Sequence, residues 1–272
     1  MLKTRIFLFV GSAAIIGLLF LLPKVVVEND APLSRRSGND SVSAPSADAN
    51  HAAVPAAVLS RISDFRRQFQ ASPSNEKNAI FADSLAKLYV TAGKYDSSAW
   101  FAEVAAKFFN TSESWTMAGD QYYQAYSFAV DQDRQKSFAE KARECYDKVL
   151  AANPHNLDVK TNKAMTYLGS GSPMQGIAML REVIAENPRH EPALFNMGML
   201  SIQSGQYDRA VERLNDLLKV NPNHTQGHLL LGIALMNTGE KVRAREEFVK
   251  VKNMDKDPAV QATVDSYLQD LK

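Results

Sequence analysis

A pair of histidines is the closest approach to a metal site in this sequence. His224 and His228 are four positions apart, a spacing that can place two imidazole ligands on one face of a helix. His224 falls at the predicted start of that helix, however, and no third ligand accompanies the pair. We therefore expect both side chains to be solvated polar groups and predict no metal site. His155 and His190, which fall in predicted loops between helices, are interpreted in the same way.

The other residue types that carry chemistry form no catalytic pattern. The chain contains no glycine-rich phosphate loop, no HExxH, no CxxC and no GxSxG motif. Its one cysteine, Cys145, stands beside Tyr146 in a predicted helix and is interpreted as a small buried apolar side chain. Acidic residues are numerous, but they share helix faces with lysines and arginines. The sequence therefore predicts neither an enzyme nor a cofactor.

The overall charge of the chain gives no reason to expect nucleic acid as a partner. The 272 residues include 31 Lys and Arg against 30 Asp and Glu, a formal net charge of +1. Nucleic-acid binding usually shows as a basic patch or stripe. Hydrophobic residues make up 45% of the chain, which is enough to build a core. One cysteine cannot form an internal disulfide, so the sequence does not indicate whether the protein resides in an oxidising or a reducing compartment.

The first 27 residues have the pattern of a membrane-targeting segment. Lys3 and Arg5 precede an uncharged run over 6–22, which as a helix would span roughly 25 Å of a hydrocarbon core about 30 Å thick. A cleaved signal peptide requires small residues after such a run, and the sequence Leu-Leu-Pro-Lys-Val-Val-Val offers none. We therefore predict an uncleaved signal anchor, a transmembrane helix over 1–27, with cleavage as the alternative.

The charges around this anchor only weakly favour one orientation. The cations before and after the apolar run nearly balance, so the positive-inside rule does not decide it. A short tail with two cations normally stays in the cytoplasm. This favours a single-pass protein of the inner (cytoplasmic) membrane with the bulk of the chain on the periplasmic side. Residues 28–53 are rich in Ser, Ala, Asp and Pro and predict a disordered linker.

An amphipathic helix is predicted directly after the linker. Leu59, Ile62, Phe65 and Phe69 follow helical spacing and indicate a leading helix over 54–78. Its apolar face would cover one end of the folded region. Binding of its arginines to a membrane surface is the alternative.

A 34-residue period dominates the rest of the chain. The dipeptide Asn-Pro occurs at 153, 187 and 221, and Gly171, Gly205 and Gly239 recur at the same interval. Small residues return at two further offsets and large ones at a third: Ala164, Gly198 and Gly232; Gly176, Ala210 and Ala244; Leu180, Leu214 and Phe248. Such a pattern predicts antiparallel helix pairs. Small residues let two backbones approach, glycine ends the first helix, and proline stops the second.

At these residues the chain resembles the tetratricopeptide-repeat (TPR) family. The resemblance implies an all-α solenoid of helix-turn-helix repeats over 79–258, divided as 79–111, 112–156, 157–190, 191–224 and 225–258. The second repeat is about 11 residues too long between Trp115 and Ala142. We interpret 128–136 as an extended helix or a loop inserted there. Asp257 as N-cap and Pro258 as the first helical residue predict a capping helix over 259–272.

In this family the first helices of the repeats line a groove that binds peptides. Carried over by position, the resemblance implies these groove residues: Met165; Phe195, Met199, Ile202 and Gln203; and Leu229, Ile233, Met236 and Asn237. Thr161 and Leu168 occupy equivalent positions in the first of these helices. The alternative is that these side chains pack between neighbouring helices.

The resulting expectation is a membrane-anchored scaffold that binds peptides or helices of other proteins in an apolar groove. The layout resembles that of bacterial membrane-anchored TPR proteins that act in secretion, envelope assembly or protein maturation. The alternative is a self-associating structural protein, a homo-oligomer in which a neighbouring subunit fills the groove.

Overall fold

Every regular element in residues 54–272, the part of the chain that the computed structural model describes, is an α-helix. The predicted signal anchor over 1–27 and the predicted linker over 28–53 lie outside these residues. Within the described range, no helix is both long and apolar enough to cross a bilayer. Each helix packs on its neighbours in sequence, and the short turns make successive helices antiparallel. The result is an α-solenoid.

Twelve helices make up the described range. Their bounds are α1 Ala56–Ala71, α2 Asn75–Thr91, α3 Tyr95–Phe109, α4 Ser112–Phe128, α5 Gln132–Ala152, α6 Leu157–Leu168, α7 Pro173–Glu186, α8 Glu191–Gln203, α9 Tyr207–Val220, α10 Thr225–Asn237, α11 Lys241–Met254 and α12 Pro258–Asp270. The pairs are α2 with α3, α4 with α5, α6 with α7, α8 with α9, and α10 with α11, with α1 and α12 at the two ends.

The first helices of the last three pairs begin at intervals that match the 34-residue period of the sequence. Helices α6, α8 and α10 begin at Leu157, Glu191 and Thr225, each 34 residues after the one before. Gly205 and Gly239, which end the first helices of the last two pairs, have φ values of 70° and 85°. Glycine adopts this left-handed conformation without the strain that a side chain would add, which is why it recurs at these two turns.

Close backbone approach within a pair explains the small residues. A Cβ added at the glycine would lie 2.5–2.7 Å from the large side chain of the partner helix in three pairs: Gly119 with Tyr146, Gly198 with Leu214, and Gly232 with Phe248. In a fourth pair the partners are Ala164 and Leu180, both fully buried. These contacts fix how closely the two helices of each repeat pack.

The extra residues of the second repeat lengthen its two helices. Helix α4 has 17 residues and α5 has 21, against 13 and 14 in α8 and α9. Helix α4 ends at Phe128, α5 begins at Gln132, and only three residues separate them. Over 128–136, where an extended helix or a loop was expected, both helices are extended and a short connection remains at 129–131.

The leading helix is shorter than predicted. It ends at Ala71 instead of 78, because the Ser74 side chain accepts a hydrogen bond from the backbone N–H of Lys77 and starts a separate helix at Asn75. The buried face of α1 includes Ile62, which joins the core of the first two repeats.

The C-terminal helix begins as the sequence predicts. The Asp257 side chain accepts a hydrogen bond from the backbone N–H of Ala259, and Pro258 is the first helical residue. Val264 and Leu271 of this end are buried in the same cluster as α8 to α11. The helix covers apolar surface that the last repeat would otherwise expose.

Buried apolar side chains form three clusters along the array. The first extends from α1 to the start of α6, the second lies within α6 to α8, and the third extends from α8 to the C-terminus. The second and smallest lies beside Lys160 and Lys163 of α6. These two lysines form ion pairs with Glu182 and Asp147.

Candidate functional site

The predicted groove residues lie on three first helices that are spatial neighbours, since α8 contacts both α6 and α10. The seven apolar ones are all half-buried: Met165, Phe195, Met199, Ile202, Leu229, Ile233 and Met236. The two polar ones, Gln203 and Asn237, are exposed. A row of half-buried apolar side chains on adjacent helices is a surface that the apolar face of a partner can cover.

Most of these side chains also rest on the core. The third cluster supports five of them: Phe195, Ile202, Leu229, Ile233 and Met236. Met165 packs against the small cluster of α6 to α8. The Phe195 ring also stacks on the imidazole of His224, with centroids 5.0 Å apart. Met199 is also half-buried but packs against none of the three clusters of residues 54–272.

Thr161 does not belong to this surface, which corrects the predicted groove. It is only 1% exposed, and its Oγ1 has no hydrogen-bond partner among the described residues. Helix α6 lies between α4 and α8, so a short side chain at this position does not reach the surface. Leu168 is half-buried, so α6 contributes Met165 and Leu168 to the groove face.

The equivalent face of α4 is polar. Asp120 occupies the place in α4 that Met199 occupies in α8. Its Oδ1 accepts hydrogen bonds from the Tyr146 hydroxyl at 2.7 Å and from the Asn162 amide at 3.1 Å. Burial raises the pKa of Asp120 above its ordinary value of 3.8, although these two hydrogen bonds oppose the shift. A cleft of about 430 Å³ beside it also contains Glu113, so the apolar surface ends before α4.

A family model for the tetratricopeptide repeat matches residues 167–232 and 201–265. This stretch therefore matches the tetratricopeptide repeat at the level of sequence. The matched stretch, less than half of the chain, contains helices α7 to α11 and with them the groove residues of α8 and α10.

Solved TPR structures share the fold of the described range. A TPR protein from Parabacteroides merdae superposes with a TM-score of 0.56 at 16% identity, over 76% of this chain and 78% of its own. A thermophilic TPR protein of Thermus thermophilus gives 0.53 at 18% identity, over 70% of this chain and 99% of its own. A comparison with curated proteins finds no match. Identities this low establish the fold alone.

Two histidines lie in the turns at helix starts, as predicted, but their side chains cap the helices and are not the solvated polar groups that were expected. His190 precedes α8 and His224 precedes α10. The Nδ1 of each accepts a hydrogen bond from the backbone N–H three residues later, at 3.3 Å and 2.9 Å. His190 is buried, and its Nε2 donates to Asp158 at 3.1 Å. Asn156 caps α6 from the equivalent place, so the 34-residue recurrence at 156, 190 and 224 was the signal. Only His155 is exposed as expected.

His228 is buried in a polar contact between α10 and α11, which also contradicts the expected solvation. Its Nδ1 contacts the Glu247 carboxylate, and its Nε2 donates to the Pro222 carbonyl at 2.8 Å. Lys250 holds the other oxygen of Glu247 at 2.7 Å. Both ring nitrogens are engaged, so His228 has none left for a metal shared with His224. Among residues 54–272, no group of three or more His, Cys, Asp or Glu side chains is placed to hold a metal.

Perturbed pKa values in the core between α3 and α5 have structural causes. Burial, together with the hydrogen bond to Glu103, raises the pKa of Tyr122 far above its usual range. Burial alone would raise the pKa of Glu103, but hydrogen bonds from Lys107 and Tyr122 outweigh it and lower the value. Burial raises the pKa of the Cys145 thiol to about 12. Such a thiol is not a nucleophile at neutral pH, in agreement with its interpretation as a buried apolar side chain.

Proposed function

We propose that the chain is a protein-interaction scaffold that binds an apolar peptide or helix across α6, α8 and α10. One observation carries the proposal. The same offsets in successive first helices hold large apolar side chains that the fold leaves half-buried, as at Phe195, Leu229, Met199 and Ile233. Repeats that need these side chains only for packing would bury them, because apolar surface is stabilised when it leaves water.

The composition of the surface indicates the kind of ligand. Three of its eight apolar members are methionines, whose flexible and polarizable side chains adapt to varied apolar partners. Gln203 and Asn237 are exposed beside them and can bond backbone groups of an extended peptide or polar side chains of a helix. An amphipathic segment with its apolar face toward the TPR array is the expected ligand.

Membrane anchoring and a role in the cell envelope belong to the same proposal. They rest on the sequence of 1–27, where an uncharged run follows two cations. An array tethered in this way would gather its partners at the periplasmic side of the inner membrane, for secretion, envelope assembly or protein maturation.

In-cell crosslinking and capture on the full-length protein tests the groove. The test variant is Met199→Asp, because Met199 is half-buried and packs against no buried cluster. The control is Val242→Asp, which adds the same charge at an exposed apolar residue of α11. We expect a defined partner to be captured by the wild type and the control and lost from Met199→Asp.

The double variant Phe195→Asp with Met199→Asp extends the test to a neighbouring groove residue. Because Phe195 also supports the core, we expect a lower melting temperature with its helical content retained, and complete loss of the captured partner. Equal capture by wild type and Met199→Asp would move the binding site off the groove. Capture of the protein itself alone would favour the self-associating alternative.

A further inference from the structure

A second surface of the TPR array is a small cleft bounded by three arginines. It has a volume of about 330 Å³ and lies where α7, α8 and α9 meet. Arg181 comes from α7, whereas Arg209 and Arg213 come from α9. None of the residues that line the cleft is acidic.

The arginines of this cleft are not neutralised by the protein itself. Within residues 54–272 none of the three forms an ion pair, and the only side-chain hydrogen bond among them joins Arg209 to Gln206, at 2.6 Å. Three lysines of the same repeats do form ion pairs: Lys160 with Glu182, Lys163 with Asp147, and Lys219 with Asp216. Arg209 and Arg213 are also four positions apart on one helix, where like charges repel. No ion pair within these residues therefore offsets this concentration of positive charge.

The floor of the cleft is apolar. Ile177, Met197 and Leu200 contribute hydrocarbon surface beneath the arginines. The two serine hydroxyls beside them already donate hydrogen bonds within the fold: Ser201 to the Met197 carbonyl at 2.8 Å and Ser204 to the Leu200 carbonyl at 2.9 Å. A ligand in the cleft would therefore contact arginine side chains at its walls and apolar side chains at its base.

This cleft is separate from the groove. On α8 its residues Met197 and Leu200 are offset by about half a helical turn from Phe195, Met199 and Ile202. The two surfaces can therefore be occupied independently, and a change in one leaves the other intact.

We infer that the arginine cleft binds an acidic segment of a partner protein, with carboxylates on the three guanidinium groups and one apolar side chain on the floor. Arginine forms paired hydrogen bonds with carboxylates, which suits it to this recognition. Arg209 and Arg213 are one helical turn apart, about 6 Å, and Arg181 lies on another helix. Charges spread in this way fit several carboxylates better than one phosphate group, and the apolar floor fits a side chain such as leucine.

Fluorescence anisotropy with the purified full-length protein tests this inference. The probe is a fluorescein-labelled peptide of four Glu-Glu-Leu repeats, and the comparison peptide has Gln in place of every Glu. We expect the acidic peptide to bind and the Gln peptide to bind at least about tenfold more weakly. We also expect Arg181→Gln combined with Arg213→Gln to reduce affinity for the acidic peptide about tenfold or more. Added salt should weaken the binding further.

Two control variants test whether a loss of peptide binding is specific to the arginine cleft. Arg189→Gln removes an exposed arginine from the turn after α7 and should leave binding of the acidic peptide unchanged. Met199→Asp should leave it unchanged as well, so a failure of the groove proposal would not be mistaken for a failure of this one. Equal affinity for the two peptides, or full affinity in the double variant, would overturn the inference. Arginine-dependent binding to phosphatidylserine vesicles without peptide binding would overturn it in favour of a membrane surface.

Discussion

The Phe248 ring lies against the backbone of Gly232, so closely that a Cβ on the glycine would come within 2.6 Å of ring atom Cε1. Phe248 is fully buried and cannot move aside without disturbing the third cluster. The same relationship between a small residue and a large one recurs in the other repeats. It sets the distance between the two helices of a pair, and through them the position of each groove residue.

We predict that Gly232→Ala destabilises the protein by about 1–2 kcal/mol. The overpacking costs about 1–3 kcal/mol, and the better helix propensity of alanine offsets part of it. Urea unfolding followed by circular dichroism measures the change. The double variant Gly232→Ala with Phe248→Leu recreates the Ala164–Leu180 pair of the third repeat and should recover part of the loss. A stabilised single variant would contradict this account of the glycine.

The buried pair of His228 and Glu247 gives a second prediction. His228→Ala leaves the Glu247 carboxylate and the Pro222 carbonyl without their buried donor, and we expect a loss of about 2–4 kcal/mol. Lys250 limits the loss, because it still contacts Glu247. Replacing both partners with leucine should restore most of the stability, since no buried charge then remains. Chemical unfolding of the three proteins would decide, and a loss below about 1 kcal/mol in His228→Ala would be inconsistent with a buried pair.

The raised pKa of Asp120 leads to a prediction of how the stability of the protein depends on pH. Burial raises its pKa in the folded state above 3.8, so the folded protein holds this proton more tightly than the unfolded chain. Its contribution to stability is present below the unfolded pKa and is lost as pH rises through the folded pKa. Asp120→Asn keeps an acceptor for Tyr146 and Asn162 without the charge. We expect the variant to match the wild type near pH 3 and to exceed it increasingly as the pH is raised toward 7.

Unfolding free energies measured at several pH values provide the test for Asp120. Other carboxylates also contribute to the pH dependence of the wild-type stability. Among them is Glu103, whose pKa is lowered and whose contribution has the opposite sign. The difference between wild type and Asp120→Asn removes these shared contributions. A difference that stays constant with pH would rule out the raised pKa.

Cys145 should be unreactive in the folded protein. Its thiol is buried and its pKa is raised to about 12, so almost no thiolate is present or accessible near pH 8. We expect a thiol reagent such as Ellman's reagent to give no colour with the native full-length protein and full reaction in denaturant. Rapid native labelling would mean that this part of α5 opens readily.

The repeat architecture could be predicted from the sequence because its determinants are local. The 34-residue period, the turn glycines such as Gly205, and the Asp257–Pro258 cap each act within a few residues of where they stand. The sequence could not choose between helix and loop over 128–136. That choice depended on whether extra turns of α4 and α5 could pack on each other, which is a property of the pair.

The histidines show why the details of the site could not be predicted. His190 and His224 are uncommon cap residues, so only their alignment with Asn156 would have indicated the role. The burial of His228 depends on Glu247, which is 19 residues away and on another helix. Thr161 was assigned to the groove by position alone, and the packing of α6 between its neighbours places it inside.

A helical repeat array with apolar residues at matched offsets of its first helices could be inferred from the sequence, because periodicity and turn chemistry depend on short stretches of chain. Which side chains remain half-buried at the surface and which are enclosed depends on the packed structure. Only the packing of α7 on its neighbours brings Arg181 close to Arg209 and Arg213, which both lie on α9. Burial and charge balance depend on contacts between residues that are distant in sequence, and only the packed solenoid defines those contacts.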